Sequence, residues 1–174
     1  MSVLQDQLRS AVQGRSPLVF LLSPEEERVV QALRELAAEG AGVPIALWSC
    51  ISGFSDAAEV QGSRDPVEAL RAVVGCREPR FYVFRDMAPY LSQPEVVRAL
   101  RDGYYSGRQA PGRVVFLLSA ELAMPESLKK EMHLLEIAPP DEGEIAAQVD
   151  RVCAQHPDYA IPREALGEVI LALK

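Results

Sequence analysis

Apolar positions along this chain follow two different spacings. Five short stretches are strand-sized and almost continuously apolar: Leu18–Leu22, "PIALWSC" (Pro44–Cys50), "RFYVF" (Arg80–Phe84), "GRVVFLLS" (Gly112–Ser119) and "HLLEI" (His133–Ile137). Between them apolar residues recur three or four apart, the spacing of one helix face. Leu4, Leu8 and Val12 form one such row over residues 3–13; Val29, Val30, Leu33 and Leu36 or Ala37 form the next. A strand apolar on both sides must be covered on both sides. Strands of that kind alternating with helices predict an α/β fold, a parallel sheet flanked by helices.

The punctuation between these segments refines the reading. Ser23 is placed to cap the helix after the first strand, with Pro24 at its first position and Glu26 closing a capping box; Gly40 and Gly42 end it. The polar, Gly-containing stretch Ile51–Asp65 reads as a loop, and Asp65-Pro66 opens a helix. "SQPEVVRALRDGYY" reads as a helix with a Ser92/Glu95 capping box and Val96, Val97, Leu100 and Tyr104 inward, and "PESLKKEM" as a short helix. After Pro139-Pro140 the alternation stops. "DEGEIAAQVDRVCAQH" and "PREALGEVILALK" predict two helices with no strand between them, so the chain divides into an α/β part, 1–140, and a helical segment, 141–174. The sequence stops at Lys174 inside the second of these helices, which points to a piece of something longer.

Composition narrows the function classes. A net charge of -7 opposes nonspecific binding to nucleic acid or anionic membrane, both of which need basic surface. The apolar runs are too short to span a bilayer, and "MSVLQDQLRS" lacks the basic-then-apolar order of a signal peptide, so the cytoplasm is the expected compartment. Cys50, Cys76 and Cys153 are scattered, and His133 and His156 are the only histidines, an inventory that predicts neither a disulfide framework nor a metal site. Cys153 and His156 lie three apart, but nothing identifies an orienting group or an oxyanion pocket for them.

A buried strand running straight into a helix is where nucleotide-binding α/β proteins place their phosphate loop, G-x-x-x-x-G-K-[ST]. Here that position reads "SPEEER". The only lysines, Lys129, Lys130 and Lys174, are remote from it, and none follows a glycine. Glu25, Glu26 and Glu27 gain from the positive end of the helix dipole and would repel a polyanion. Asp86 closes a central strand, where such proteins hold magnesium, but its neighbours Arg85 and Met87 supply no water-activating acid. Ser119 closes the following strand; a turn-capping role explains it equally well. Arg98 and Arg101, three apart on one helix, are a candidate partner surface, and Trp48 and Tyr104-Tyr105 read as packing residues.

Taken in order, "PLVFLLSPEEERVVQAL", "PIALWSCISG", "DPVEAL", "FYVFRDMAPYLSQPEVVRALRD" and "VVFLLSAELAMPESLKKEMHLLEIAPPDEGEI" resemble the amino-terminal domain of a group of bacterial and plastid-encoded AAA-family ATPases. The resemblance spans roughly Leu8 to Lys174 and rests most on Ser23, Glu25, Glu26, Arg28, Trp48, the Asp86–Pro89–Tyr90–Leu91 turn and the Arg98–Leu100–Arg101 helix. It implies a degenerate AAA module: a five-stranded parallel, P-loop-NTPase-like sheet, a lid beginning near Asp141, and an intact ATPase module further along the parent protein. By position, Ser23, Asp86 and Ser119 are then vestiges of the phosphate-loop, magnesium and nucleotide-sensing positions. The expected role is a non-catalytic, regulatory or partner-binding domain without cofactor or metal, serving an AAA ATPase module in cis or trans. Two alternatives accompany it. One is residual nucleotide binding without hydrolysis. The other is a receiver-like phosphoacceptor using Asp86, with Glu25 and Glu26 as its acidic pair and Ser119 as its hydroxyl, although no lysine follows the last strand.

Overall fold

The computed structural model describes residues 3–39, 42–55, 63–156 and 163–172. Two compact units are present, 3–137 and 138 onward. In the first, the order is α1 (Val3–Gln13), β1 (Leu18–Leu22), α2 (Glu26–Ala38), β2 (Ile45–Ser49), β3 (Gly53–Ser55), α3 (Pro66–Gly75), β4 (Arg80–Arg85), α4 (Pro94–Gly107), β5 (Arg113–Ser119) and β6 (His133–Glu136). The second holds α5 (Glu142–Gln155) and α6 (Arg163–Ala172), which pack on each other.

The strands form one sheet in the order β3-β2-β4-β5-β1-β6. β2, β4, β5, β1 and β6 are parallel in register, as both-sided apolarity requires. Alternate residues feed opposite cores. Leu18 and Phe20 of β1 face α3 and α4 through Leu70, Val73, Val96 and Leu100. Val19 and Leu21 face α1 and α2 through Leu8, Val29, Leu33 and Ala37. Every α2 residue assigned to the inner face by its spacing is buried.

The sheet corrects the five-strand expectation. β3 lies within the stretch read as a loop and runs antiparallel to β2, pairing Trp48 with Phe54 and Ser49 with Gly53. Three residues are too few to show a period of two. What holds them is tertiary: Gly53 turns at φ 69°, and Phe54 sets its ring edge-on to Tyr82 at 5.8 Å and Phe84 at 5.5 Å. Residues 56–62 of that loop, and Gly40, lie outside the described residues.

Helix starts differ where a proline and a serine compete. Neither the Ser23/Glu26 nor the Ser92/Glu95 capping box forms. α2 begins at Glu26 with Glu25 as its cap residue, while Ser23 Oγ accepts from the Glu25 amide at 3.1 Å. α4 begins at Pro94, and Ser92 Oγ donates to the Pro89 carbonyl at 3.3 Å. In both, the hydroxyl closes a local turn before the helix instead of its first turn. Asp65 does cap α3, its carboxylate accepting from the Glu68 amide at 2.9 Å with Pro66 next in line. "PESLKKEM" contributes only the single 3-10 turn Glu126–Leu128, too short to propagate as an α-helix. Asp141 and Glu144 form a complete capping box at the start of α5.

Candidate functional site

Parallel α/β sheets present ligands at the carboxyl ends of their strands. On that edge Ser23, Ser119 and Asp86 fall side by side across β1, β5 and β4. Leu22 pairs with Ser119 in register, the Ser23 amide donates to the Ser119 carbonyl at 2.9 Å, and the Asp86 amide donates to the Leu118 carbonyl at 3.0 Å. The three positions picked out in sequence are thus brought together.

Their functional groups are engaged differently. Ser23 is buried, and its hydroxyl serves the Glu25 amide. Ser119 is buried too, its hydroxyl accepting from the Glu121 amide at 3.2 Å, a turn cap. Asp86 is exposed and has φ 55°, the left-handed region that Asp tolerates better than most residues. No hydrogen bond of its carboxylate occurs among the described residues.

Between β1 and α2 there are three residues, Ser23 to Glu25. An eight-residue phosphate loop surrounds its anion with successive backbone amides, and a connection this short has no turn in which to do so. Carboxylates hold the entrance instead. Glu25 pairs with Arg28 at 2.7 Å, and Glu26 reaches Arg85 at the end of β4, 3.0 Å away. Arg85, which closes β4 beside Asp86, is therefore committed to an acidic helix start. The strand order also excludes the receiver alternative. A receiver sheet runs 2-1-3-4-5, with its first strand beside the second and third; here β1 lies between β5 and β6.

The arginine pair proposed as a partner surface splits. Arg98 grips Asp102 one turn along α4 and lines an open cleft of about 380 Å³ between α3 and α4 with Arg71 and Glu95. Arg101 turns to the protein, donating to the Ser127 carbonyl and lying 3.5 Å from Glu131. Trp48 is fully buried, its indole N–H donating to the Ser63 carbonyl at 2.8 Å. Tyr104 and Tyr105 contact each other edge-on. Cys153 and His156 lie at the end of α5. No group of three or more metal-ligating side chains occurs among the described residues.

The polar centre that sequence reasoning missed is Arg113, which opens β5 at 2% exposure. Its guanidinium donates to the carbonyls of Val73 (2.9 Å), Val74 (3.2 Å) and Cys76 (2.5 Å) at the end of α3. It also donates to the Gly103 carbonyl (3.1 Å) and the Ser106 hydroxyl on α4. A cation here satisfies the orphan carbonyls and negative dipole end of α3. Burial draws its pKa below the ordinary guanidinium value. Next to it, burial and then a hydrogen bond with Cys76 push the Tyr82 phenol well above 10.0. An arginine at a strand start is unremarkable in sequence, and only the convergence of two helix ends makes it central.

Comparison with known proteins follows the same geometry. The family described as SpoVK-like AAA ATPase, N-terminal domain, matches residues 4–137. The uncharacterized AAA domain-containing protein ycf46 of Guillardia theta is 22% identical over 176 residues, covering 99% of this chain and 34% of that protein. The chain thus spans about a third of the length of the curated relatives it matches. Among solved structures, the FIGL-1 AAA domain in complex with ADP aligns with TM-score 0.63 at 14% identity, over 90% of this chain and 54% of that one. AMPPCP-bound DnaA from Aquifex aeolicus aligns with TM-score 0.56 at 11% identity, over 95% and 54%. At these identities the structural likeness is one of fold.

Proposed function

Because the chain belongs to the SpoVK-like AAA ATPase N-terminal domain family, we propose that it is a non-catalytic AAA-like module, a regulatory or partner-binding domain for an ATPase module elsewhere. The observation that carries this reading is the three-residue β1–α2 connection, closed by Ser23 and guarded by the Glu26–Arg85 pair. A nucleotide at this edge would find neither a ring of amides nor a lysine for its phosphates. Each charge-assisted hydrogen bond contributes roughly 1.5–3 kcal/mol. Losing three weakens binding by roughly three to six orders of magnitude, beyond the reach of cellular nucleotide. A fold that keeps its sheet and loses its phosphate loop retains surfaces, and the role left to it is recognition of a protein, in cis or trans. No cofactor or metal belongs to this reading.

Calorimetric titration with MgATP and MgADP tests it. We expect no saturable binding tighter than ~1 mM at the carboxyl edge. Binding tighter than ~100 µM that is abolished by Asp86→Ala or Ser119→Ala would overturn it, and would favour residual nucleotide binding instead.

A further inference from the structure

Away from the carboxyl edge, residues at the amino ends of the strands enclose a second concavity. It measures about 330 Å³ and is bounded by the α1–β1 turn (Gly14 to Pro17), the end of α4 (Tyr104, Arg108) and residues 129–133 leading into β6. Five residues on its wall are basic by type: Arg15, Arg108, Lys129, Lys130 and His133. In a chain of net charge -7 with only three lysines, two of them meet here. Glu131 is the single acid on the wall, and Arg101 faces it at 3.5 Å. Lys129 pairs with Glu126 at 2.5 Å. Arg15, Arg108 and Lys130 make no ion pair among the described residues, and all three are exposed. Arg15 sits at φ 54°, a left-handed turn that costs a non-glycine residue energy. Ser16 and Tyr104 complete the lining. A concave site that gathers cations focuses potential and concentrates anions.

We propose that this concavity is a binding site for a phosphate-bearing anion, held by Arg15, Arg108 and Lys130. It draws on no part of the vestigial nucleotide edge. Two guanidinium forks and an ammonium suit the tetrahedral oxygens of phosphate, with arginine supplying paired donors and lysine a point charge. The phosphate could be free or carried on a phosphorylated peptide.

The test is calorimetry on the full chain at constant ionic strength, with inorganic pyrophosphate in one arm. A phosphoserine peptide and its unphosphorylated twin form the second arm. Saturable binding is expected, with Arg108→Ala and Lys130→Ala each weakening it roughly five- to tenfold. Arg71→Ala, in the α3–α4 cleft, is expected to leave it unchanged. Pyrophosphate binding alone would assign a small free phosphate compound, and tighter binding of the phosphopeptide a phosphorylated chain; both uphold the site. No saturable binding in either arm, or binding that the Arg108 and Lys130 variants leave intact in folded protein, would overturn it. Any ATP heat lost in the Arg108→Ala, Lys130→Ala double variant but kept in Asp86→Ala belongs to this site, which separates it from the carboxyl edge.

Discussion

Replacing Arg113 with methionine probes the least visible part of this architecture. The substitution keeps most of the side-chain length and removes five donated hydrogen bonds, three to the end of α3 and two to α4. Not all acceptors are orphaned by it. The Val73 carbonyl also accepts from the Cys76 amide, and the Gly103 carbonyl from Ser106 Oγ at 3.2 Å. The carbonyls of Val74 and Cys76 carry the loss. Both are part-buried, so leaving them without a donor costs about 1 kcal/mol each, the low end of the roughly 1–3 kcal/mol for a buried acceptor, and release of a desolvated guanidinium offsets part of what else is lost. A net destabilisation of about 1.5 kcal/mol results, which for a chain of this size lowers Tm by about 3–6 °C. Arg113→Lys restores the charge but one donor centre instead of a fork, and is expected to recover less than half. Urea unfolding followed by the fluorescence of Trp48, the only tryptophan and fully buried, reports the transition directly. An Arg113→Met variant within ~0.5 kcal/mol of the parent would refute the reasoning, since that is the range of an uninvolved surface change.

Three other outcomes follow from the same geometry. A Cβ at Gly107 would sit 2.5 Å from the ring Cβ of Pro17, so Gly107→Ala is expected to cost about 2 kcal/mol in the same assay. Tyr82 is held protonated in the fold, so above pH 10 the unfolded chain loses this proton first and folding stability falls as pH rises. Tyr82→Phe should flatten the alkaline slope by up to about 1.4 kcal/mol per pH unit, read from urea midpoints between about pH 9 and 11. At Asp86 the left-handed backbone favours glycine, so Asp86→Gly is expected to match or exceed the parent in stability while Asp86→Ala falls about 1 kcal/mol below it. Equal loss in both variants would show that the carboxylate itself is needed.

Much of the fold was legible because burial leaves a periodic trace. The five parallel strands, the inner face of α2 and the Asp65 cap follow from spacing and residue type. At the carboxyl edge, the missing phosphate loop and the positions of Ser23, Asp86 and Ser119 were readable because chain order fixes which residues close which strands. The capping boxes at Ser23 and Ser92 failed for a local reason: each hydroxyl had a nearer partner in the turn before the helix.

What the sequence determined by itself was the alternation of buried strands with one-sided helices and the absence of a phosphate-binding motif, since both are written in residue types at fixed spacing. The tertiary structure alone decided the strand order, the antiparallel β3 edge, the Glu26–Arg85 pair, the burial of Arg113 and the basic concavity around Arg108 and Lys130. Apart from the β3 edge, whose paired residues lie four to eight positions apart, each of these joins groups far apart along the chain, 59 positions in the case of Glu26 and Arg85. A one-dimensional pattern reports which face a residue prefers; which distant residue meets it there is settled only when the sheet closes and the helices dock.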